Sequence, residues 1–157
     1  NLVNTAGKIN TISIQNSFSD ALDADFSELK INNLNISSAI NDCTDFSAGK
    51  YDLINLDLNN CGDKGISIGE KSKVKIKNIT VNKADIGVAT KDSSILSLKN
   101  ASLKNLRTCV SAYNKKQEFN GGFVKIENFI CKKFTKKFET DKLSKIVLKE
   151  NILTSKK

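Results

Sequence analysis

Residues 31–36 read INNLNI and residues 53–58 read LINLDL, the same arrangement of apolar and polar side chains 22 positions later. An Asn or Thr has apolar residues two positions before it and one and three positions after it. The pattern recurs as INTISI, IKNITV, LKNASL and IENFIC at residues 9–14, 76–81, 98–103 and 126–131. A fixed period of this length is typical of solenoid proteins, in which each repeat forms one coil. The sequence therefore predicts about six stacked coils.

One polar position per repeat forms a column that runs through the coils. Its members are Thr11, Asn33, Asn55, Asn78, Asn100 and Asn128, and Asn151 follows the last of them at a similar spacing. When coils stack about 4.8 Å apart, asparagine amides hydrogen-bond from one coil to the next. The column predicts a structural asparagine ladder.

A second short strand follows in each repeat and recurs at the same spacing in every coil. Alternation along a strand places every second side chain in the core. The residues expected to point inward are Leu22, Ala24, Thr44, Phe46, Ile66, Ile68, Val88, Thr90, Val110 and Ala112. The residues between them are expected to point outward, including Cys43, Gly65, Gly87 and Cys109.

Two repeat architectures fit this period together with an asparagine column. A leucine-rich repeat needs a helical or extended return after its strand, whereas here the return is a second regular strand. The sequence favours an all-β fold, a right-handed parallel β-helix that forms a single domain over residues 1–157. Coils cover residues 9–130, and an atypical capping coil covers residues 131–157.

The chain departs from the regular period near its C-terminus. The column spacing expands from 22 to 28 before Asn128, which predicts a loop at residues 113–122. Solenoids need atypical terminal caps, so Phe134 and Phe138 are predicted to plug this end. Because the chain has no initiating Met, we expect it to be part of a larger protein.

The composition excludes several classes of chemistry. The chain has no His, Pro, Met or Trp, which rules out imidazole metal sites and Ser-His-Asp catalysis. No apolar run is long enough to span a membrane, and no charged-then-apolar secretion signal is expected within this segment. No membrane span is expected, and a secreted or cell-surface location is favoured over others.

The net charge of +8 is unevenly distributed. Residues 1–70 hold 4 Lys/Arg and 10 Asp/Glu, whereas residues 115–157 hold 12 and 5. A solenoid built this way has an acidic end and a basic end, which predicts head-to-tail self-association. The basic end, with Lys132, Lys133, Lys136 and Lys137, is expected to attract anionic polymers. Nucleic acid is not expected, because aromatic residues do not alternate with the lysines.

Four cysteines raise the question of disulfides or a zinc site. Cys43 and Cys109 share a column but lie three coils apart, about 14 Å, which exceeds disulfide reach. Cys61 lines up with Ala39 and Ala84 as a small core residue, and no CxxC pair is present. The cysteines are predicted to be free thiols.

Two acidic stretches, SDALDADFS at 19–27 and NDCTDFS at 41–47, carry the most suggestive chemistry. Stacking brings Asp20 over Asp42 and Asp23 over Asp45, with Asp25 beside them. Carboxylates this close fit three interpretations: a catalytic pair for glycoside chemistry, a Ca²⁺ site at Asp20, Asp23, Asp42 and Asp45, or a turn whose Asp side chains cap backbone N–H groups. No other cofactor is expected.

The same strip continues with Ser67, Lys91 and Tyr113. Together with Asp23 and Asp45, these residues are the candidate ligand-binding set. Lys91 would serve as a base only if its pKa were depressed. The alternative is an ordinary solvated lysine.

The strings SDALDADFS, NDCTDFSAGK, GDKGISIGEKS, IGVATKDSS and SAYNKKQEFNGG resemble the right-handed parallel β-helix repeats of CotH-like bacterial surface and spore-coat proteins. These belong to the broader pectate-lyase-like superfamily, and the resemblance covers residues 9–130. The run from Cys43 to Gly49 departs from the usual pattern by a polar Thr44 and an inserted Ala48. The resemblance implies carbohydrate binding, lysis, hydrolysis or epimerisation in many members.

Taken together, these features favour a non-catalytic β-helical module in a surface or envelope protein. Such a module would bind an acidic polysaccharide or a protein partner, or act as a spacer. The first alternative is a polysaccharide-active enzyme (lyase, epimerase or glycosidase) that uses the Asp cluster. The second is a self-assembling solenoid that stacks its acidic end on its basic end.

Overall fold

The computed structural model describes residues 1–149 and 151–153, which form twelve β-strands. The strands are β1 Leu2–Val3, β2 Ala6–Ser17, β3 Leu22–Asp25, β4 Glu28–Ala39, β5 Thr44–Ser47, β6 Lys50–Cys61, β7 Lys64–Gly69, β8 Lys73–Lys91, β9 Ile95–Tyr113, β10 Phe123–Thr140, β11 Lys145–Leu148 and β12 Asn151–Leu153. All pairings are parallel except that of β12 with β11. Among these residues there is no helix that could cross a membrane.

The pairing register confirms the predicted parallel solenoid. Asn33 lies opposite Thr11 on one side and Asn55 on the other, and every coil is displaced by one repeat from its neighbour. The solenoid has about seven turns, one more than the sequence predicts. The additional turn comes from Leu2–Val3 and Lys145–Leu148, which extend the stacks at the two ends.

Each coil has three faces. Face A is the first part of the long strand (residues 6–10, 28–32, 50–54, 73–77, 95–99, 123–127 and 145–148), and face B is the part that follows the ladder position. Face C is the second strand (residues 22–25, 44–47, 64–69, 86–91, 108–113 and 136–140). Faces B and C meet at a left-handed residue in each coil: Asn16, Ser38, Asn60, Lys83, Asn105 and Lys133. Asn tolerates this conformation better than most residues, which explains its frequency at this corner.

The core is a continuous column of aliphatic side chains. All ten residues that the sequence predicts to point inward on face C are buried. Phe46 packs on Tyr51 of face A with ring centroids 4.6 Å apart. The Tyr51 hydroxyl donates to the carbonyl oxygens of Ala24 and Ser47 at 2.8 and 3.0 Å, so its polar atom is satisfied inside the core.

The predicted outward orientation of Cys43, Gly65, Gly87 and Cys109 is wrong. Cys43 and Cys109 are fully buried in the core. A Cβ on Gly65 would lie 2.7 Å from Cγ1 of the core residue Val81. Because Ile66 is also buried, two consecutive residues face the core at this point, as they do at a β-bulge. Strict alternation therefore misplaces this column by one residue.

The same error explains why the free-thiol prediction is wrong. The structure contains the disulfides Cys43–Cys61 and Cys109–Cys131, and no free cysteine is present among the described residues. Cys61 lies opposite Ala39, as the sequence indicates. Once Cys43 points inward, it meets Cys61 of the next coil, with the two Cα atoms 5.2 Å apart. The correct partners are in neighbouring columns rather than in one column.

The asparagine ladder is present. Side-chain amides donate from Asn55 to Asn33, from Asn78 to Asn55, from Asn100 to Asn78 and from Asn128 to Asn100, at 2.9 to 3.1 Å. Below Asn33 the ladder changes, because its amide donates to the backbone oxygen of Asn10 rather than to Thr11. Asn151 does not extend the parallel stack, since it pairs with Leu148 in the antiparallel β12.

Replacing Asn78 with Ala is expected to lower the free energy of unfolding by about 2 kcal/mol, because it removes two ladder hydrogen bonds worth about 1 kcal/mol each. Urea denaturation measures the change. Asn35→Ala is the matched control, since Asn35 is exposed on face B and makes no side-chain hydrogen bond to another described residue. Equal losses for the two variants would show that the ladder adds no stability.

The C-terminal end differs in part from the prediction. The loop is confirmed, since β9 ends at Tyr113 and β10 begins at Phe123. Phe138 packs against the core with Phe129, with ring centroids 5.1 Å apart, whereas Phe134 is 40% exposed and does not plug the end. Residue 150 and residues 154–157 of the predicted cap lie outside the described residues.

Candidate functional site

The acidic turn before face C uses two of its carboxylates as backbone acceptors. Oδ1 of Asp20 accepts from the amide N–H of Asp42 at 2.9 Å and from Nδ2 of Asn41 at 2.7 Å. One coil further, Oδ1 of Asp42 accepts from the amide N–H of Lys64 at 2.9 Å. Asp20 and Asp42 are stacked as the sequence predicts, and each carboxylate ties its coil to the next.

Asp42 is a buried acid with a lysine beside it. It is 3% exposed, and Nζ of Lys64 lies 3.4 Å from its Oδ1 and also contacts Asp63. Burial raises the pKa of Asp42 to about 6, although the Lys64 charge and N–H act in the opposite direction. Burial lowers the pKa of Lys64, but its hydrogen bond to Asp63 and the Asp42 charge outweigh this and leave the pKa raised. Asp42 therefore titrates near pH 6 while Lys64 stays charged.

Replacing Asp42 with Asn is expected to remove a pH dependence of stability. The folded-state pKa of about 6 lies above the 3.8 of an unstructured Asp, so the folded protein holds this proton more tightly than the unfolded chain. Its stabilisation is complete below pH 3.8 and is lost as the pH rises through 6. At 1.36 kcal/mol per pKa unit, the difference in unfolding free energy between the two proteins should change by up to about 3 kcal/mol between pH 3 and 7.

Asp85→Asn is the control of opposite sign. Its hydrogen bonds from Arg107, 2.7 and 2.8 Å, lower the pKa of Asp85, so its stabilisation is lost as the pH falls. Chemical denaturation across the pH range measures both. A pH-independent difference between wild type and Asp42→Asn would contradict the burial of that carboxyl.

Asp45, Ser67 and Lys91 are brought together on face C. Nζ of Lys91 donates to Oγ of Ser67 at 2.8 Å and lies 3.8 Å from Oδ2 of Asp45, two coils away. Gly69 makes this reach possible, because a Cβ there would lie 2.8 Å from Cε of Lys91. The lysine side chain therefore lies flat along the sheet.

Two of these three side chains are closed to solvent, whereas the Asp45 side chain is 25% exposed. Ser67 is fully buried and Lys91 is 7% exposed. Burial raises the pKa of Asp45, against the Lys91 charge and the Ser67 hydrogen bond. Oδ1 of Asp45 is buried and has no hydrogen-bond partner among the described residues. The arrangement is a partly buried ion pair, and the buried Ser67 hydroxyl offers no access for nucleophilic attack on a polymer.

The other candidate residues surround this ion pair. Tyr113 lies opposite Lys91 on the next coil, and Asp23 lies opposite Asp45 on the previous one. Burial raises the pKa of Tyr113, and the nearby Lys64 charge opposes this. Burial and the charges of Asp25 and Asp20 raise the pKa of Asp23. Across the described part of the chain, no three Asp, Glu, Cys or His side chains are placed to hold a metal ion, and a Ca²⁺ site stays a prediction.

A second surface, which the sequence reasoning missed, lies on face A. Every coil places at least one outward lysine there, and we call this set the lysine face: Lys8, Lys30, Lys50, Lys73, Lys75, Lys77, Lys99, Lys125 and Lys145. Its acidic neighbours are Glu28, Asp52 and Glu127. The sequence contained the information needed to find it. All of these lysines except Lys145 lie one, three or five positions before a ladder residue, and strand alternation places such residues on the outer side.

Two of the acids on face A are already engaged. Glu28 contacts Lys50 at 2.7 Å and Asp52 contacts Lys30 at 3.6 Å. The other seven lysines of the lysine face form no ion pair with another described residue. A groove of about 630 Å³ crosses this surface, with Leu29, Tyr51 and Val74 at its base. The groove is lined by lysines from four successive coils: Lys8, Lys30, Lys50, Lys73 and Lys75.

Comparison with protein-family models, with curated proteins and with solved structures finds no match for this chain. The parallel β-solenoid therefore rests on the repeat in the sequence and on the strand pairing of the structure. The resemblance to CotH-like and pectate-lyase-like proteins stays a prediction.

Proposed function

We propose that this chain is a non-catalytic binding module of a secreted or cell-surface protein, with glycan as its ligand. The observation that carries the proposal is the use of the acidic cluster: Asp20 and Asp42 cap backbone amides, and Asp45 pairs with Lys91. Carboxylates that already accept backbone hydrogen bonds or form an ion pair between coils are poorly suited to act as acid and base on a polysaccharide.

The two disulfides support the location. Such bonds persist in oxidising compartments such as the cell exterior and are rare in the cytosol. A rigid stack of coils with an exposed polar surface suits a module that presents a binding surface outside the cell.

The test is turnover on a panel of acidic polysaccharides, with and without Ca²⁺. We expect binding without bond cleavage or epimerisation. Turnover that is abolished by Asp23→Asn or Asp45→Asn would overturn the proposal in favour of a polysaccharide-active enzyme. The raised pKa values of both carboxyls make these two positions the sharpest test.

A further inference from the structure

The regularity of the lysine face is its main feature. Coils 1 to 3 contribute Lys8, Lys30 and Lys50, and the register places each one coil beyond the last. The fourth coil contributes Lys73, Lys75 and Lys77, and later coils contribute Lys99, Lys125 and Lys145. A lysine therefore recurs at each coil, about 4.8 Å apart along the axis, and the second, third and sixth coils also carry one acid each on this face, Glu28, Asp52 and Glu127.

We propose that the lysine face binds a linear acidic polysaccharide that lies along the solenoid axis, with about one anionic group per coil. This inference rests on the proposed function, whose ligand and binding surface it names. A polysaccharide with one carboxylate or sulfate per sugar residue repeats its charge at a spacing close to that of the coils. Each coil then places a lysine beside successive charges of the ligand, and the ammonium groups of Lys30 and Lys50 are shared with Asp52 and Glu28.

The groove gives the ligand its direction. Its lining runs from Gly7 and Lys8 on the first coil to Ile95 and Ser97 on the fifth, a length of about 19 Å at the usual spacing of stacked strands. The lysines follow one another across the strands rather than along them. A polysaccharide that lay parallel to one strand would contact the groove residues of only one coil, so the groove favours a ligand that lies along the solenoid axis.

The electrostatics leave this surface without enough countercharge of its own. Glu28 and Asp52 neutralise Lys50 and Lys30, while Lys73, Lys75 and Lys77 are exposed on one coil. Like charges this close repel each other, and an anionic ligand relieves the repulsion. Binding of this type releases counterions and weakens as the salt concentration rises.

A saccharide fits this surface better than a single-stranded nucleic acid. Such nucleic-acid sites combine basic grooves with aromatic platforms on which successive bases stack. Within the described residues, the outward positions of face A carry one aromatic side chain, Phe123, which is 36% exposed. Tyr51 lies beneath the groove but is buried, with its hydroxyl bonded to backbone oxygens.

The experiment compares two double variants of equal charge change by calorimetric titration at low salt. Lys73→Glu/Lys75→Glu alters the groove. Lys83→Glu/Lys104→Glu is the matched control, since these lysines are exposed on or beside face B, lie on neighbouring coils outside the basic end and form no ion pair with a described residue. Thermal unfolding checks that both variants fold. We expect the groove variant to bind polygalacturonate roughly tenfold more weakly, and the control to stay close to wild type.

The probes separate the remaining alternatives. Polygalacturonate and dextran sulfate distinguish carboxylate from sulfate recognition, and binding of either one supports the proposal. We expect unsulfated dextran not to bind, and galacturonate dimers to bind more weakly than oligomers of about six residues, which cross the groove.

Several results would overturn the inference. The inference is contradicted if the two variants lose affinity equally, or if dextran binds as tightly as the acidic glycans. It is also contradicted if poly-dT binds more tightly than either acidic glycan. If both variants bind polygalacturonate as wild type does, the glycan site lies elsewhere and the proposed function survives. If the wild type cleaves polygalacturonate and the groove variant binds it tenfold more weakly, the non-catalytic role is contradicted. Polysaccharide binding at the lysine face would still be supported.

Discussion

Replacing Cys109 and Cys131 together with Ala is expected to lower the free energy of unfolding by about 3 kcal/mol. The bond closes a loop of 22 residues, and a cross-link over a loop of this length restricts the unfolded chain by about that amount. Urea denaturation under non-reducing conditions measures the loss. Since the free energy of unfolding of a single domain is about 10 kcal/mol, the change removes a large share of the total.

The wild type under reducing conditions provides the control. With dithiothreitol present, wild type and the double variant should approach one another, because the wild type then loses the same cross-link. Thiol titration of the denatured wild type should find no free thiol, in agreement with two intact disulfides. Four reactive thiols in freshly purified secreted protein would contradict the pairing.

Replacing Lys91 with Met is expected to cost about 2 to 3 kcal/mol at pH 8. Removal of Lys91 leaves the partly buried Asp45 carboxylate, whose side chain is 25% exposed, without its countercharge. Removing one partner alone is the costly way to break an ion pair that is shielded from water. The loss should shrink towards pH 5, because Asp45 takes up a proton more readily once the lysine charge is gone. Burial already raises the pKa of Asp45 in the intact protein, where the lysine charge opposes the shift.

A double-mutant cycle isolates this ion pair. Lys91→Met/Asp45→Asn should recover much of the stability that Lys91→Met loses, since no buried charge is left unpaired. The surface pair Lys30–Asp52, about half exposed on both sides, is the matched control, and Lys30→Met should cost less than about 1 kcal/mol. If Lys91→Met costs no more than Lys30→Met, the partly buried ion pair is absent.

Periodicity was enough to predict the stack of coils. Apolar residues at fixed offsets from the ladder, such as Leu53 and Leu58, must face one core if neighbouring coils are in register. The ladder followed for the same reason, since Asn55 and Asn78 occupy equivalent positions on parallel strands. Both inferences need only the repeat length and the alternation of a strand.

The two disulfides required information that the periodicity does not contain. At Cys43 and Cys109 the chain turns two consecutive side chains inward, and an alternating pattern assigns one of them to the wrong side. The reach of Lys91 to Asp45 was hidden for a different reason. It depends on Gly69 in the intervening coil, a three-residue relationship that no single column reveals.

The lysine face was missed because the charge was counted along the chain. Division into an acidic and a basic end concealed that lysines recur on one side of every coil, including the acidic coils with Lys8 and Lys30. The candidate carboxylates were located correctly, with Asp20 over Asp42 and Asp23 opposite Asp45. Capping of backbone N–H groups was one of the three interpretations that the sequence left open, and in the folded chain Asp20 and Asp42 make such contacts.

Distance measurement between spin labels on the lysine face tests the in-register stack most directly. Lys8 and Lys125 lie in one column, five coil steps apart, and Lys30 and Lys125 are four steps apart. Labels at cysteines introduced in these pairs should be separated by about 24 and 19 Å at the usual spacing of stacked strands. Narrow distributions that differ by about one coil spacing are the expected result. Broad distributions, or equal distances for the two pairs, would contradict the solenoid and the continuous lysine face that it builds.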